Sequence, residues 1–569
     1  MNRRSNKTYR IVCCSAIVLP LALIWRNLSA QSASTVETVA NLRARTSSPT
    51  SVNLQGYYAA GDNGGGAFVY DPSDTSAPDN GGTIIVDAAG HRYHRQVSGC
   101  LSVKYFGAKM DGTTNDSVPF QNTIDAAVAT GYGCVFIPNG SAIVSTLSIS
   151  NNNLTINCGN SSLNGTGGSK LIAASTSTII LRIGTVSGIT IIGCSFISPS
   201  QQRSGALISA DGTVDLTFER LYVSGAWDAI SFKNVTQSYV RGASIRDWNH
   251  DAISIDGGGD NYFAHLVIDE DNANYTPNAG FHVLANGGSI TVSDSDILHG
   301  HNGFWINPGK GQFVDWVYMS NVYLDSCDYN VNKGGVGLKI TPIGGGIAYG
   351  GSFSNLWAST CNIGVQIAGE RDSPTSDYQF SSPRILHNYQ NGVSISEANN
   401  IHFMNSVISG NSQASFGSYD GVEIAVGATG VSFMGGHIGG GVENFGNTQR
   451  HNISLDRDLT GRVTVMGVDL STSTSSDVFD GASQTAQIHI RESPGYNPVG
   501  ISRMTMALPL SYTAGRTEEH VSVLDGSVDS ILVEGITVCT RVPCSLTLSA
   551  EQSLRINGSG LVNVVLNKD

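Results

Sequence analysis

A short pattern recurs through the middle of this chain and constrains the fold more than any other feature. Each copy is a small residue followed by apolar, polar and apolar residues, as in residues 229–232. The copies begin at Ala229, Ala252, Gly280, Gly303, Gly337, Gly364, Gly392 and Gly421. Successive copies are 23 to 34 residues apart. Because side chains alternate between the two faces of a strand, each copy predicts a strand with one face buried.

A second apolar pattern precedes each copy and predicts two more short strands in every repeat. Residues 319–324 and 353–358 are two examples, and each looks like a strand next to a bend. A β-propeller would need about 40 residues per blade, and a sandwich would not repeat one pattern eight times. We therefore predict an all-β right-handed parallel β-helix. A solenoid also accommodates 569 residues, because each repeat buries its core against its neighbours.

A helical pattern follows residues 103–116 and predicts a cap for the solenoid. Phe120, Ile124, Ala127 and Val128 fall on one helix face, and Asp116 can cap the first turn. Such a helix would cover the open N-terminal end of the stack.

The segment before this helix, with Phe-Gly-Ala at 106–108 and Asp-Gly at 111–112, resembles the start of the pectate-lyase-like superfamily. That superfamily includes polygalacturonase-related enzymes and phage tailspike depolymerases. Met110 and Asn115 depart from its usual glycine and acid. Residues 57–71 resemble the small β-module that precedes this cap in tailspike-like proteins. The resemblance implies a β-helix that acts on polysaccharides, as a hydrolase, a lyase, an epimerase or a binding protein.

The chain is predicted to have four parts. Residues 1–30 read as a signal peptide, since a basic start precedes an apolar stretch too short to span a membrane comfortably. Residues 31–100 form the N-terminal β-module, 101–500 the β-helix with its capping helix, and 501–569 a C-terminal β-rich cap or small domain. We expect a secreted or periplasmic protein without stable membrane association after cleavage. The alternative is an uncleaved N-terminal anchor.

The net charge bears on which partners the protein can bind, and the cysteine positions bear on which disulfides it can form. Removing residues 1–30 would leave 27 basic against 45 acidic residues, which gives no chain-wide basic footprint for nucleic acid. Cys539 and Cys544 are close enough in sequence to staple a hairpin. Cys327 and Cys361 fall in one column of the repeat, where an inter-rung disulfide and a buried thiol stack are both open.

Acidic residues and histidines concentrate in the two columns just after the second strand of this preceding pattern, and elsewhere on the same rungs. Glycoside hydrolysis needs two carboxyl groups in different protonation states, and neighbouring like charges raise a carboxyl pKa. The candidate catalytic acids are Asp269, Glu270, Asp294, Asp296, Asp325 and Asp247. His299 would orient a carboxylate or the substrate. The alternative is a solvated acidic face with no catalytic role.

Aromatic and polar residues of the same rungs are candidates for substrate binding, because exposed rings can stack on sugars. These candidates are Trp305, His282, Lys339, Trp248, Tyr323 and Arg246. For Trp316 and Tyr318 we expect core packing instead. Asp228 and Asp251 share a column with Asn302, Asn391 and Asp420, which predicts turn residues in left-handed conformation.

These features together predict a glycoside hydrolase with paired carboxylates in a groove on the β-helix wall. A lyase or epimerase acting on a uronate polymer, and a non-catalytic carbohydrate-binding β-helix, remain alternatives. The sequence has no zinc-type Cys/His spacing, phosphate loop or calcium loop, so neither metal nor cofactor is predicted. The expected partner is a polysaccharide, and the protein is expected to be a monomer or a homotrimer.

Overall fold

The computed structural model describes residues 33–47, 50–159, 165–270, 277–327, 334–441, 446–496, 501–515 and 518–568. The predicted signal peptide lies outside these residues. Within them, 37 strands form one continuous parallel ladder, and this confirms the predicted right-handed parallel β-helix. None of the described helices is long and apolar enough to cross a membrane.

Each rung contributes strands to three walls, here named A, B and C. The strands of wall A are Leu147–Ile149, Leu181–Ile183, Ala206–Asp211, Asp228–Thr236, Asp251–Gly259, Ala279–Ala285, Asn302–Ile306, Val336–Ile340, Ile363–Ala368, Val393–Ser396, Val422–Ile424, Ile453–Leu455 and Val478–Asp480. Two of its strands, Asp228–Thr236 and Asp251–Gly259, have nine residues each and bend at their ends into wall B.

Walls B and C complete the rung. The strands of wall B are Leu101–Ser102, Cys134–Ile137, Leu154–Cys158, Ser187–Ile192, Val214–Glu219, Tyr239–Arg241, Asn261–Ala264, Ile290–Leu298, Phe313–Asp325, Ile347–Ser354, Thr375–Ser381, Ala398–Ser409, Val431–Ile438, Arg462–Met466 and Gln487–Arg491. The strands of wall C are Asp111–Asn115, Gly140–Val144, Ser169–Ala173, Cys194–Ile197, Tyr222–Ser224, Ser244–Arg246, Val267–Asp269, Trp357–Ser359 and Arg384–Leu386. Four long wall B strands continue into wall C: Ile290–Leu298, Phe313–Asp325, Ala398–Ser409 and Val431–Ile438.

Inward side chains stack from rung to rung and form a continuous core. Phe281 and Phe304 pair in register on wall A, with ring centroids 5.1 Å apart, and both are fully buried. Burying such a side chain contributes roughly 2–3 kcal/mol. Replacing Phe304 by alanine would cost about 3–5 kcal/mol, because the stacked neighbours could not collapse into the gap.

The predicted capping helix is present as Ser117–Ala129, and its apolar face is buried. Asp116 does not cap it with its side chain. Its carboxylate instead accepts the backbone N–H groups of Lys109 and Met110, at 2.8 Å each, and so fixes the preceding segment. A short 3₁₀ helix, Val103–Phe106, and the disulfide Cys100–Cys134 lie next to this cap.

Two smaller β structures flank the solenoid. The N-terminal module contains helix Val39–Arg43 and strands Ser34–Val36, Val52–Leu54, Gly66–Tyr70, Ile84–Val86 and Arg92–Arg95. The C-terminal region has two four-stranded antiparallel sheets. Their strands are Ile501–Ala507, Leu510–Thr513, Glu519–Val523, Ser527–Val533, Ile536–Cys539, Cys544–Leu548, Ser553–Ser559 and Leu561–Lys568.

Disulfides cross-link neighbouring segments of the solenoid and of the C-terminal region. Cys327–Cys361 is an inter-rung bridge, so the first of the two sequence alternatives is the one found. Cys158–Cys194 is a further bridge within the solenoid, and Cys539–Cys544 joins the ends of two C-terminal strands as predicted.

Candidate active site at the corner of walls C and A

Two aspartates and two histidines meet where the chain turns from wall C into wall A. Asp228 and Asp251 are the first residues of consecutive wall A strands, so the rung spacing brings them together. His250 Nδ1 lies 2.8 Å from Asp228 Oδ1 and 3.3 Å from Asp251 Oδ2. The backbone N–H of Asp251 also donates to Asp228 Oδ1, at 3.1 Å. Both donors use one oxygen of Asp228, and no described residue hydrogen-bonds its Oδ2.

Asp251 is the more enclosed carboxyl group, with only 2% of the residue exposed. Asn278 donates to its Oδ1 at 2.8 Å. His282, on the next rung, places Nδ1 2.8 Å from its Oδ2. These contacts, together with His250, leave neither oxygen of Asp251 without a polar neighbour.

The environment of Asp228 favours its protonated form. Burial raises the pKa of Asp228, and the adjacent Asp251 charge adds to this, while the hydrogen bond from His250 only partly opposes it. The hydrogen bond to Asp228 in turn raises the pKa of His250, against the effect of burial. The Asp228–His250 pair therefore holds its protons to higher pH than the isolated groups do. The raised pKa makes Asp228 the member of the pair that is suited to the role of a general acid.

Aromatic stacking fixes both histidines. The Trp227 and His250 rings stack with centroids 4.9 Å apart, and His282 and Trp305 stack at 4.5 Å. Lys339 Nζ lies 4.5 Å from the centroid of the Trp305 ring, one rung farther along. Trp305 therefore has a neighbour over each face, and the expectation that it presents a face to a sugar is corrected. Its Nε1–H donates to Thr341.

The same cluster is the one set among the described residues that could hold a metal ion. One ligand atom from each of Asp228, His250 and Asp251 lies within 4.8 Å of the others. A cation bound there would displace the proton that Asp228 and His250 hold, so acid–base chemistry and cation binding would compete for these atoms.

The residues that the sequence favoured form a separate cluster on wall C. The strand register stacks Arg246, Asp269, Leu298 and Asp325 in one ladder, as the repeat predicted. Arg246 pairs with Asp269 Oδ2, and His299 Nδ1 lies 2.7 Å from Asp269 Oδ1. Burial disfavours ionisation of Asp269, but His299 and Arg246 outweigh it and hold its pKa below the usual range. Asp269 is thus a paired anion, and its surroundings do not favour the proton donor that was expected.

The other predicted acids are not brought together. Asp294 and Asp296 are exposed, and Asn321 donates to Asp294 at 2.9 Å. Asp247 accepts the Ser224 hydroxyl at 3.1 Å. Asp325 accepts the backbone N–H of Ser326.

Glu270 is almost fully buried at the end of wall C, with 3% exposed. The prediction placed Glu270 in an open groove as a catalytic acid. The prediction is wrong on this point, because the residue is buried.

Burial decides which of the predicted aromatic residues can contact a ligand. Trp248 is fully buried and donates to the backbone oxygen of Ala279, so it cannot touch a polysaccharide. Tyr323 is 47% exposed on wall C, where a ligand can reach it. Trp316 and Tyr318 are exposed too, and their expected place in the core is wrong.

The sequence missed Asp228 and Asp251 because it assigned them to a left-handed turn column. That column lies elsewhere: Gly225, Asp247, His299, Ser326 and Thr360 have φ between 54° and 81°. Asp228 and Asp251 instead start strands. The signal that could have found them is the His250-Asp251 pair one rung after Asp228, since a rung step of about 4.8 Å brings such groups within hydrogen-bonding reach.

A surface cavity of about 730 Å³ lies elsewhere, between the N-terminal module and the capping helix. The Arg43–Asp79 ion pair lines it, together with Tyr57 and Asn122. Its two carboxyl groups are bound separately, Asp79 by Arg43 and Asp125 by Gln121. The chemistry therefore points to the wall A corner.

Comparison with known proteins bears on the fold. Residues 35–98 match the family model of the phage tail protein small four-stranded β-sheet domain. Tailspike protein 3 of bacteriophage CBA120 superposes with a TM-score of 0.51 at 10% sequence identity, over 75% of this chain and 66% of that one. The chain shares the parallel β-helix fold with this tailspike protein.

Two further solved structures are similar to this chain, with lower TM-scores. The enzymatically active domain of tailspike protein 2 of bacteriophage CBA120 is 13% identical over 96% of this chain and 81% of that one, with a TM-score of 0.47. The A-module of the Azotobacter vinelandii mannuronan C-5 epimerase AlgE4 is 16% identical over 70% of this chain and 100% of that one, with a TM-score of 0.39. At these identities the likeness concerns the fold alone.

Proposed function

We propose that this protein is a glycoside hydrolase that cleaves a polysaccharide at the wall A corner, with Asp228 and Asp251 as its two carboxyl groups. The observation that carries the proposal is the carboxyl pair joined through His250. Its two members have different surroundings, and one of them keeps an oxygen open to a ligand. Because parallel β-helices host hydrolases, lyases, epimerases and binding proteins, the site supports the reaction and the fold does not.

The chemistry assigns one role to each aspartate. Asp228, protonated on Oδ2, gives its proton to the glycosidic oxygen as the bond to the anomeric carbon breaks. Asp251, which is nearly buried and accepts a hydrogen bond from Asn278, supports the site beside the positive charge that develops on the sugar, and a water molecule attacks the anomeric carbon and gives up a proton. His250 lies between the two groups and can return a proton to Asp228 after each cycle.

A secreted or periplasmic location is part of the same proposal. Four disulfides cross-link the described residues, and such bonds persist in oxidising compartments. Polysaccharides outside the cell would then be the available substrates.

A uronate lyase or epimerase is the second candidate. His282 is 7% exposed, and its Nε2 has no hydrogen-bond partner among the described residues. If Nδ1 carries the proton toward Asp251, Nε2 is a base that could remove a proton from a sugar carbon. This alternative needs His282 to reach substrate past Trp305, which covers one of its faces.

One assay separates these reactions. The purified protein is incubated with homogalacturonan, alginate, hyaluronan, xylan, dextran and bacterial capsular polysaccharides. Reducing ends and unsaturated uronates are then measured together. The proposal predicts reducing ends without unsaturated products on at least one polymer, and a loss of about a hundredfold to ten-thousandfold in Asp228→Asn. Unsaturated products would support the lyase, and an active Asp228→Asn would overturn the assignment.

A further inference from the structure

The arrangement around Asp228 occurs a second time on wall A, seven rungs farther along. Asp420 occupies the same position relative to its strand as Asp228, two residues before the ladder residue Val422 that follows from Ile230 in register. Arg450 Nε and Nη2 donate to the two Asp420 oxygens at 3.0 and 2.6 Å. The backbone N–H of His451 donates to Asp420 Oδ1 at 3.1 Å, as that of Asp251 does to Asp228.

The second arrangement cannot repeat the chemistry of the first. Arg450 binds both oxygens of Asp420, and a guanidinium does not give up its proton in a protein. Asp420 is 1% exposed, so neither oxygen is open to a ligand. What the second arrangement does offer is an outward carboxyl group on the same rung, Glu423.

Glu423 lies in the outward column of wall A that contains His282, Trp305 and Lys339. Register continues this column through Gln366, Ser394, Glu423 and Ser454 to Phe479. Asn391 and Ser394 both donate to Glu423 Oε2, at 2.9 and 3.2 Å. Its Oε1 has no partner among the described residues, so it can hydrogen-bond a ligand hydroxyl group.

Phe479 ends the column with an exposed ring. It is 48% exposed, while its neighbour His451 lies under it with ring centroids 5.1 Å apart. Between the catalytic corner and this ring, Gln366, Ser394 and Glu423 are half-buried and polar. The column therefore presents hydrogen-bonding groups along its length and an aromatic platform at its far end.

We propose that wall A binds one polysaccharide chain along the solenoid axis, with a distal non-catalytic subsite at Glu423 and Phe479. Six rung steps of about 4.8 Å separate the Asp251 strand from the Glu423 strand, which places this subsite roughly 30 Å from the catalytic corner. The occupant is the continuation of the chain that is cleaved, because the half-buried polar residues Gln366, Ser394 and Glu423 follow one another in register toward the distal end. The inference rests on the proposed function.

The distal subsite has a direct binding test. Full-length Asp228→Asn, which should bind without cleaving, is run in native gels cast with each polysaccharide of the panel above. Adding Phe479→Ala or Glu423→Gln should weaken retardation by about three- to tenfold on the polymer that the wild type cleaves. Phe313→Ala is the matched control, since Phe313 is 44% exposed but lies on wall B.

The outcomes separate the two proposals. Retardation that falls with Phe479→Ala and Glu423→Gln but not with Phe313→Ala supports the distal subsite. If both variants are retarded like their parent, the distal subsite is wrong while the catalytic proposal stands. If the parent is not retarded and the wild type releases no reducing ends from any polymer, both proposals fall.

Discussion

The corner at Asp228 and the corner at Asp420 share a backbone arrangement and differ in the side chain that faces the aspartate. In both, a backbone N–H on the next rung donates to the carboxylate at 3.1 Å. The first aspartate faces His250, which can gain and lose a proton, and the second faces Arg450, which cannot. One position in a repeat thus yields a proton-transfer pair or a fixed ion pair, depending on one residue.

The two corners also differ in access. Asp228 keeps one oxygen without a partner among the described residues, whereas both oxygens of the nearly buried Asp420 are bound. A carboxyl group in the right column is therefore not sufficient for catalysis. The group needs a partner that exchanges protons and an oxygen that substrate can reach.

The largest effect is expected from making the first corner resemble the second. His250→Arg should pair with Asp228 as Arg450 pairs with Asp420 and should cut turnover by about a hundredfold to ten-thousandfold, because an ionised Asp228 has no proton to give and arginine cannot supply one. Reducing-end release on the cleaved polymer measures this, with Arg450→His as the control that should keep activity. A fully active His250→Arg enzyme would mean that His250 takes no part in proton transfer.

The unfolding free energy should depend more on the second corner than on the first. Arg450→Met would leave the Asp420 carboxylate buried with a single backbone donor at Oδ1 and should lower the unfolding free energy by about 2–3 kcal/mol. This is less than for a fully buried pair, because the Arg450 side chain is 43% exposed. His250→Gln should cost only about 1 kcal/mol, because Asp228 can bind a proton instead. Denaturant midpoints check both values, and equal losses would remove the distinction between the corners.

The pH dependence follows from the raised pKa values of Asp228 and His250. A group whose pKa is raised by folding stabilises the protein below its unfolded pKa, and this contribution is lost as pH rises through the folded value. Asp228→Asn cannot lose a proton at this position, so its stability relative to wild type should improve as pH rises above about 4, the ordinary pKa of an aspartate. Turnover of the wild type should also fall as pH rises, since the acid must be protonated. A relative stability that worsens over this range would contradict the raised pKa of Asp228.

On wall C the stability contribution of Asp269 should change with pH in the opposite direction. The pKa of Asp269 is lowered, so its contribution is present above its unfolded pKa and lost as pH falls through the folded value. Asp269→Asn should therefore cost most near neutral pH and least in acid.

The smallest effect is expected from chelation. If Asp228 and His250 hold protons at the corner, then EDTA should leave the rate of reducing-end release unchanged. A loss of activity that Mn²⁺ or Zn²⁺ restores would show that the three ligand atoms hold a cation during catalysis, and the acid–base roles would have to be withdrawn.

The sequence predicted the fold well because the fold depends on repeated local features. Period-two alternation specified the strands, and the spacing of the copies specified their stacking. The predicted wall C column, with Arg246, Asp269 and Asp325 in successive or near rungs, matches the observed register. Register follows from pattern because a slip of one residue would turn the apolar side chains outward.

The site was harder to predict because it depends on turns. Asp228 and Asp247 are both plausible turn residues, and only the backbone shows that Asp247 is left-handed while Asp228 starts a strand. The two tryptophans show the same difficulty: Trp248 was expected to be exposed and is buried, whereas Trp316 was expected to be buried and is exposed. The corner points Trp248 into the core, and a bend at φ 51° leaves Trp316 53% exposed. Side-chain direction at a corner is set by turn geometry, which alternation does not encode.

Comparing Asp251→Asn with Asp420→Asn tests the central claim most directly. Both changes are isosteric and fall in one column of wall A, and both folded variants are assayed for reducing ends on the same polymer. We expect Asp251→Asn to lose about a thousandfold or more in turnover, while Asp420→Asn stays within roughly tenfold of wild type. Comparable turnover in the two variants would contradict the assignment of the active site to the Asp228–Asp251 corner.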